Sequence, residues 1–399
     1  MSETYKNNYS LTYDGFSAHF SDRESGFDIH IPRVSWAEIA FCRQSEPISV
    51  EQCIVEALNN PIGAAPIRTG ARGKTAAIIV PDLTREFPTA KILPFVVADL
   101  EAAGVARDDI AVIVACGAHR AVTAEEKALI LGERCLDLRL VSHDCCAGDL
   151  VYVGTTPYGT RLHVNSIAAK AGYRIVMGSV IPHEFAGFSG GRKYVLPGIA
   201  SEEAILHNHR PEMLLSSKAA PGILEGNPVS EDMEAAAELF GIDFCISLVQ
   251  NMDGSVAGVF CGALKSSHMA AVSHLRKFIS VDVPPADLIV TTPGSPLDIN
   301  LYQSMKALFA LSPVLGPDSV VLLYSRCREG VGGDDMLKPF AYSEPDDIIA
   351  AALEDYVVVK DHALLLGRLY KETGVNVVFA SPALEPGVLG NMFRFASQS

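Results

Sequence analysis

The chain has 399 residues, of which 49% are hydrophobic and 20% are charged. This length exceeds one ordinary hydrophobic core, so we expect a globular protein of two domains. The net charge of −15 argues against nucleic-acid binding, because contact with a phosphate backbone requires a basic surface.

The first residues, the hydropathy pattern and the cysteines together predict a cytoplasmic protein. Residues 1–5 lack the charged and apolar segments of a signal peptide, and no uninterrupted apolar run reaches the roughly 18 residues of a membrane span. The nine cysteines include the adjacent pair Cys145 and Cys146 but form no CxxC or disulfide framework. We therefore expect reduced, mostly buried thiols, which leaves the histidines as the better metal candidates.

The first 70 residues are expected to be largely irregular, apart from a strand-like fragment at Phe27–Ile31 and a helix over Ile48–Asn59 begun by Ser49. Short apolar runs then alternate with helical segments, which is the pattern of a buried parallel sheet. In chain order this pattern predicts a strand at Thr75–Val80, a helix at Ile92–Ala103, a strand at Ile110–Ala115, a helix with a capping box at Thr123–Leu131 and a strand at Arg174–Ile181. The fold class is therefore α/β.

A second α/β domain is predicted to begin near residue 284, after a linker that contains two prolines. Its expected elements are a strand at Asp287–Thr291, a helix at Asn300–Leu311, a strand at Ser319–Tyr324, a helix at Asp346–Glu354 and a strand at Val375–Ala380. This pattern resembles a small doubly wound domain without a GxGxxG fingerprint. We predict an N-terminal domain over residues 1–275 and a smaller C-terminal domain over residues 284–399, with residues 385–399 packing back on the first.

Polar segments follow three of the predicted strands. Asp82–Arg85 follows the first strand, His119 the second, and the Gly-rich segment His183–Lys193 the third. Because the carboxyl ends of parallel strands share one edge of a sheet, where α/β proteins bind their ligands, we expect these segments to line one site.

The Gly-rich segment offers several kinds of chemistry. Its glycines are Gly187, Gly190 and Gly191. Glycine lets a backbone approach an anion closely, so that N–H groups converge on it. Lys193 is suited to pairing with phosphate or to covalent attachment, while His183 and the later His209 are suited to act as a base and as a metal ligand. The alternative is a plain loop in which Arg192 and Lys193 are solvated.

The other motifs also have plain structural interpretations. Asp82 and Arg85 suit the binding of a carboxylate or the orientation of a histidine, but equally an Asx-type turn with a solvated arginine. A lone histidine such as His119 is more often a satisfied hydrogen-bonding group than a catalyst. Tyr302 and Lys306 share one face of a predicted helix, which is also the ordinary pattern of an amphipathic surface helix.

Together these motifs resemble the nickel-dependent lactate racemase family over about residues 70–330. The segments that carry the resemblance are Pro81–Arg85, Gly117–Arg120, His183–Lys193, His209 and Tyr302–Lys306. Their order and approximate spacing match the family, and Gly187–Lys193 is the most specific of them. The resemblance implies two α/β domains, with mostly parallel sheets, flanking helices and the active site in the cleft between the domains.

The resemblance also implies a cofactor and a set of roles. The cofactor is a nickel-pincer nucleotide, pyridinium-3-thioamide-5-thiocarboxylic acid mononucleotide nickel, attached covalently to Lys193. His209 is implied as the protein ligand of nickel, with His207 as a competitor, and His119 and His183 as the acid/base pair. The implied substrate contacts are Asp82, Arg85, Gln303 and Lys306, and the implied cofactor contacts are Thr84, Gly187, Ser189, Gly190, Gly191 and Tyr302.

The activity implied is racemisation or epimerisation of a 2-hydroxy acid. The hydrogen on C2 is too weakly acidic for an ordinary base, whereas its transfer as hydride to an electrophilic cofactor avoids a carbanion. The hydroxyl proton leaves at the same time, so each face of the substrate requires a histidine. The implied partners are a small 2-hydroxy acid and the enzymes that build the cofactor, without nucleic acid or membrane.

Two other functions stay open from the residues alone. One is a phosphotransferase whose Gly-rich loop and Lys193 bind phosphate, although the GxxxxGK[ST] spacing is absent. The other is a protein without catalytic activity that binds nickel or a nucleotide, although such a protein would need only the metal ligand and not the acid/base residues.

Overall fold

The structure is a computed structural model that describes residues 2–4, 9–22, 26–40, 42–85, 87–295, 297–385, 387, 391 and 393–395. The strands within these residues are β1 (Ser2–Thr4), β2 (Tyr9–Tyr13), β3 (Ser17–Asp22), β4 (Phe27–Pro32), β5 (Ala76–Pro81), β6 (Ile110–Ala115), β7 (Arg139–Ser142), β8 (Val151–Thr155), β9 (Arg161–Val164), β10 (Tyr173–Ser179), β11 (Pro182–His183), β12 (Gly187–Phe188), β13 (Phe244–Gln250), β14 (Val256–Gly262), β15 (Leu288–Thr291), β16 (Val320–Tyr324), β17 (Asn376–Ala380) and β18 (Arg394–Phe395).

The α-helices in the same residues are α1 (Val50–Asn59), α2 (Ile67–Gly70), α3 (Thr89–Ala102), α4 (Ala124–Leu131), α5 (Ser166–Lys170), α6 (Glu202–Asn208), α7 (Pro211–Leu214), α8 (Pro228–Phe240), α9 (Leu264–Ile279), α10 (Leu301–Ala310), α11 (Leu337–Phe340), α12 (Pro345–Leu353) and α13 (Asp361–Thr373). None of them combines the length and the apolar character that crossing a membrane requires.

The chain folds into two compact units. The central unit comprises Arg43–Ser280, and the terminal unit comprises Met1–Cys42 together with Val281–Ser399. This division differs from the predicted one, which placed residues 1–42 in the N-terminal domain. The two-unit α/β architecture itself is confirmed.

A six-stranded sheet forms the core of the central unit, in the order β14-β13-β10-β5-β6-β7. All neighbours are parallel except β14, which runs antiparallel to β13. Across its centre Ile78 lies opposite Ile175 on one side and Val112 on the other. Every residue of β5 is buried, because helices cover both faces of a sheet of this kind. A strand buried on both faces has a continuous apolar sequence, as β5 does.

Helix boundaries in the central unit follow local signals. Thr123 forms the predicted capping box with Glu126 at the start of α4, where each side chain bonds the other residue's backbone N–H. Helix α1 begins after Ser49, whose hydroxyl accepts from the N–H of Gln52. The sequence analysis did not assign helices α8 and α9; α9 packs against β13 and β14 of the sheet, whereas α8 packs against β8.

The described residues of the terminal unit form two sheets. An antiparallel sheet of order β1-β2-β3-β4 accounts for much of the segment that was expected to be irregular, and that expectation is wrong. The other sheet is parallel, with its described strands in chain order, β15-β16-β17-β18. The predicted doubly wound order is therefore not found, because each crossover adds its strand on the same side and the order never reverses.

Aromatic contacts explain why the first residues belong with the C-terminal segment. The ring of Phe27 stacks on Tyr324 at the end of β16, with 4.2 Å between the centroids. Near the other end of the chain, Phe393 contacts Phe340 and Phe379 within the same unit. Most of residues 385–399, which were predicted to pack on the first domain, lie outside the described residues.

Candidate functional site

An aspartate–histidine pair joins the ends of two neighbouring strands. Asp82 follows β5 and His119 lies in the loop after β6, and the Asp82 Oδ2 atom is 2.7 Å from His119 Nδ1. The other carboxylate oxygen accepts from the N–H and the hydroxyl of Thr84, at 3.1 and 2.6 Å. An N–H at Nδ1 places the imidazole lone pair on Nε2, the arrangement of a general base.

The environment keeps Asp82 ionised. Burial raises the pKa of its carboxyl, but the hydrogen bonds from His119 and Thr84 outweigh this and hold the pKa below its ordinary value. The side chain of His119 is 48% exposed, whereas that of Asp82 is 8% exposed. A buried anion thus orients a histidine that solutes can reach. The Asx-type turn predicted as an alternative is present as well, since Asp82 accepts from Thr84.

The segments after β5 and β6 approach the segment that contains Lys193. Gly117, after β6, donates its N–H to the carbonyl of Gly198 at 2.9 Å. Burial raises the pKa of Tyr194, and the charges of Arg85 and Asp82 act on the same hydroxyl. The order β10-β5-β6 therefore brings the predicted segments to one edge of the sheet, as expected for parallel strands.

Three of the predicted residues lie around the ring of Phe185. His183 and His209 meet it edge-on, with centroids 4.7 and 5.0 Å away, and the Lys193 ammonium lies 5.7 Å from the ring centre. A cation at this distance is attracted by the aromatic face. Sequence analysis did not single out Phe185, because nothing in its local pattern distinguishes it from a core residue.

His183 is buried in a short hairpin, where β11 pairs with β12. Its Nδ1 atom lies 3.2 Å from the carboxylate of Glu184 and 3.4 Å from the N–H of Ala186. When the ring is protonated, its Nδ1–H can donate to the Glu184 carboxylate. When the ring is neutral, Nδ1 can accept from the N–H of Ala186. The surroundings thus accommodate both states of an acid/base residue.

His209 and His207 differ in the ring nitrogen that carries the proton. Nδ1 of the buried His209 donates to the carbonyl of Ile205 at 3.1 Å, which places its lone pair on Nε2. Nδ1 of His207 instead accepts from the guanidinium of Arg210 at 2.9 Å, and an arginine can only donate. A backbone carbonyl on the second ring nitrogen is the usual support of a metal-binding histidine, so the geometry favours His209.

A buried carboxylate holds the helix end that precedes His209. Asp232 is fully buried and accepts from Thr156, Thr160 and Asn208 at 2.5, 2.7 and 2.8 Å. Asn208 is the last residue of α6, so this network fixes the position of His209. The two threonines belong to the turn between β8 and β9, and the sequence gives no sign that their partner lies more than 70 residues away.

The glycines of the Gly-rich segment are required by packing within the protein. A Cβ atom on Gly187, at φ +75°, would lie 2.1 Å from the carbonyl oxygen of Ile223. One on Gly190, at φ +83°, would lie 2.8 Å from Val180. The hydroxyl of Ser189 is also engaged internally, since it donates to the carbonyl of Ser179 at 2.9 Å. The proposed roles of these residues toward a cofactor stay predictions.

Arg192 stabilises the Gly-rich segment from the interior of the protein. It is 2% exposed, and its guanidinium donates to the carbonyls of Ala186 and Phe188 and to the Ser230 hydroxyl. Burial lowers its pKa to about 10. The alternative of a solvated arginine–lysine pair is therefore wrong for Arg192, while Lys193 is half-buried.

The remaining predicted residues lie in the terminal unit, on α10. Tyr302, Gln303 and Lys306 are half-buried, and Asn300 caps the helix by accepting from the N–H of Gln303 at 2.9 Å. The helix is amphipathic, as the plain interpretation expected. Its Leu301, Met305, Leu308 and Phe309 are buried.

Two residues at the start of α13 hold Tyr302. The Tyr302 hydroxyl donates to Asp361 at 3.1 Å, and the same carboxylate lies 2.7 Å from Nδ1 of His362. The rings of Tyr302 and His362 are 3.8 Å apart. Sequence analysis missed both partners, because α13 was not assigned and the contacts span about 60 residues of the chain.

Comparisons with known proteins match the chain in two parts. A family model described as the lactate racemase N-terminal domain matches residues 23–222, and one described as the lactate racemase C-terminal domain matches residues 281–378. The lactate racemase of Thermoanaerobacterium thermosaccharolyticum is 33% identical over 307 residues, which cover 76% of this chain and 72% of that protein. The lactate racemase of Lactiplantibacillus plantarum is 31% identical over 355 residues, 86% of this chain and 83% of that protein.

Solved structures agree with these matches. The lactate racemase apoprotein from T. thermosaccharolyticum has a TM-score of 0.81 at 28% identity, covering 91% of this chain and 89% of that chain. A structural-genomics protein from Thermotoga maritima has a TM-score of 0.66 at 17% identity, covering 89% of this chain and 93% of that chain. The second likeness is a likeness of fold alone.

Proposed function

Because the chain belongs to the lactate racemase family, we propose that it is an isomerase that inverts C2 of a 2-hydroxy acid. The observation that carries the proposal is the convergence of His183, Lys193 and His209 on the ring of Phe185. A histidine suited to acid/base work, an amine and a histidine suited to bind metal meet there. We further propose a cytoplasmic location and a need for enzymes that build the cofactor.

The residues present fit the cofactor that the family implies. Lys193 supplies an amine for covalent attachment, and the Nδ1–H of His209, bonded to the Ile205 carbonyl, leaves the lone pair of Nε2 to a soft or borderline metal such as nickel. When bound, a nickel-pincer nucleotide supplies an electrophilic centre that takes hydride from C2 of the substrate. We propose Thr84, Tyr302 and the segment Gly187–Gly191 as further contacts of this group.

Proton transfer is assigned to two histidines. In our proposal His119 and His183 each serve one enantiomer, taking the hydroxyl proton when that enantiomer reacts and returning it when that enantiomer forms. Asp82 fixes the tautomer of His119 and stabilises its protonated form. Glu184, with an oxygen 3.2 Å from Nδ1 of His183, stabilises the protonated form of the second histidine.

Substrate orientation is assigned to positive side chains. We propose that Arg85 and Lys306 bind the substrate carboxylate, with Gln303 as a further polar contact. An arginine suits this task because its planar fork matches a carboxylate. A carboxylate held in this way keeps the planar 2-keto acid bound while its other face becomes available.

The phosphotransferase alternative finds less support. The positive φ angles of Gly187 and Gly190 are explained by close packing against Ile223 and Val180, so these glycines need no bound phosphate to account for them. The buried Asp82 faces His119, whereas a phosphotransferase would use such a carboxylate to bind magnesium.

The test is expression together with cofactor-building enzymes, followed by intact-mass spectrometry and chiral analysis of product. We expect a covalent adduct on Lys193 and interconversion of the two enantiomers of a 2-hydroxy acid. Lys193→Ala should lose both adduct and activity but keep the thermal unfolding midpoint of the wild type. The exposed Lys265 gives the matched control, Lys265→Ala, which should keep both. Full activity with an unmodified Lys193 would refute the proposal.

A further inference from the structure

A group of four metal-ligating side chains lies apart from the residues discussed so far. Asp144, Cys145 and Cys146 follow one another in the loop after β7, and their ligand atoms all lie within 4.8 Å of one another. The carboxylate of Glu202, the first residue of α6, lies 3.8 Å from Cys146 Sγ. The backbone strengthens this approach, because the N–H of Glu202 donates to the carbonyl of Cys145 at 3.0 Å.

Two of the separations match those of donors around one tetrahedral cation. With bonds of about 2.3 Å to sulfur and about 2.0–2.2 Å to oxygen, two sulfurs on one zinc ion lie about 3.8 Å apart and a sulfur and an oxygen about 3.6 Å apart. In the structure, Cys145 Sγ and Cys146 Sγ are 3.9 Å apart, and the Cys146 to Glu202 distance is 3.8 Å. These two pairs would need shifts of only a few tenths of an ångström. The Glu202 carboxylate has to turn further to reach Asp144 and Cys145 as well, because it lies outside the group whose ligand atoms are all within 4.8 Å of one another.

The side chains are arranged to let a cation enter. Cys146 is exposed and Cys145 is partly exposed, whereas most other cysteines are buried. One oxygen of Asp144 accepts from the N–H of Cys146 at 2.9 Å; this turn fixes the carboxylate beside the thiols and leaves its second oxygen as a ligand.

The charges around the two thiols also favour a bound cation. The carboxylate of Asp144 lies beside both thiols, and that of Glu202 lies 3.8 Å from Cys146 Sγ. The surroundings thus oppose a further negative charge. A divalent cation reverses this effect, because it stabilises the thiolates and offsets the carboxylates together.

We propose that Asp144, Cys145, Cys146 and Glu202 form a binding site for a thiophilic divalent cation such as Zn²⁺, separate from the site around Phe185. Two sulfur and two oxygen donors suit zinc in tetrahedral coordination. Binding releases one proton from each thiol and involves no change of oxidation state. The bound cation would tie the loop after β7 to the first residue of α6, the helix that ends beside His209.

The test uses the apoprotein, reduced with a phosphine, and Cd²⁺ as the probe, since cadmium thiolates absorb in the ultraviolet. The titration is done in the His209→Ala background, so that metal bound at that histidine does not contribute. We expect one equivalent to bind with a thiolate-to-cadmium absorption band and with the release of two protons in weakly buffered solution at neutral pH.

Variants locate the binding. Cys145→Ser with Cys146→Ser should abolish the band, and Glu202→Gln should keep the band but weaken binding by roughly tenfold or more. The matched control is Cys42→Ser with Cys53→Ser, which removes two other partly exposed thiols and should leave the titration unchanged. Thermal unfolding without metal checks that each variant is folded.

Two results would overturn the proposal. One is a titration of the His209→Ala protein, with Cys145 and Cys146 intact, that shows no stoichiometric thiolate band. The other is a band of full intensity in the folded Cys145→Ser, Cys146→Ser variant. Because none of these measurements uses racemase activity, the outcome is independent of the proposed function.

Discussion

The carboxylate of Asp82 lies 2.7 Å from Nδ1 of His119, although the two residues follow different strands and are 37 positions apart. The hydrogen bond sets which ring nitrogen carries the proton, so Asp82 is a positioning residue in the proposed reaction.

Asp82→Asn should therefore lower kcat with little change in KM. An amide neither stabilises a protonated His119 nor fixes its tautomer, and we expect a loss on the order of 100-fold or more. The matched control is Asp149→Asn, which changes an exposed aspartate that also accepts from a hydroxyl, that of Ser166. Steady-state kinetics in both directions measure the effect. A variant with wild-type kcat would show that Asp82 serves only the turn.

His119→Ala and His183→Ala should each lose interconversion in both directions. Removal of one histidine takes away the base in one direction of the reaction and the acid in the other, so each loss should be at least about 100-fold. Chiral chromatography of reactions begun from either enantiomer gives the readout. His163→Ala, at a half-buried histidine on β9, is the control. A variant that still racemises at nearly the wild-type rate would assign that histidine a structural role.

Arg85 and Lys306 should set the requirement for a carboxylate on the substrate. A charge-assisted hydrogen bond contributes about 1.5–3 kcal/mol, so the loss of either should lower kcat/KM by about ten- to a hundredfold. Esters and amides of the substrate should react poorly with the wild type for the same reason. The decisive comparison is acid against amide in Lys306→Ala. An unchanged rate and an unchanged preference for the acid would leave Lys306 as a surface residue of α10.

The free energy of unfolding should decrease as the pH is lowered, because of a buried histidine that has no role in the proposed reaction. His268 Nε2 donates to the carbonyl of Ser189 at 2.8 Å, and burial followed by the charge of Arg192 lowers the pKa of His268 to about 3. Between this value and about 6.5, the unfolded chain binds a proton that the folded protein does not. The contribution of neutral His268 to the free energy of unfolding is therefore complete above about pH 6.5. It is lost progressively as the pH falls from about 6.5 toward about 3.

His268→Gln should flatten this dependence, since a neutral amide can donate to Ser189 but does not titrate. Urea unfolding at pH 7 and pH 5 measures the difference. His274→Gln is the control, because His274 lies on the same helix and also bonds a backbone carbonyl, that of Ala257. An equal loss of stability in wild type and His268→Gln between the two pH values would contradict the assignment.

The sequence predicted the parts of the fold that local patterns determine. The strand Ile110–Ala115 agrees residue for residue with β6, and the capping box of Thr123 is present at the start of α4. These elements are recognisable because a continuous apolar run or a capping pair is sufficient to produce them. Of the antiparallel sheet, only β4 was anticipated, as the fragment Phe27–Ile31. The short strands β2 and β3 were missed because they show no regular alternation of buried and exposed residues, and such strands become stable only against one another.

The sequence alone could not identify the partners of the predicted site residues. Lys193, His183 and His209 were identifiable by type and spacing, but the ring of Phe185 that joins them has no distinguishing pattern. Asp361 is 59 positions from Tyr302, and Asp232 is 24 positions from Asn208. Contacts of this kind depend on how elements pack, which residue order alone does not specify.

The position of β5 at the centre of the sheet, between β10 and β6, has a consequence for the timing of local opening. All six residues of β5 are buried, and its backbone pairs on both sides. Amide protons in such a strand exchange with solvent only when the whole unit unfolds. Deuterium uptake should therefore be slowest in β5 and in β6, the strands that lead into the segments of Asp82 and His119, and much faster in β4, where residues alternate in exposure. The proposed base His119 and its partner Asp82 would then follow the ends of the least fluctuating strands.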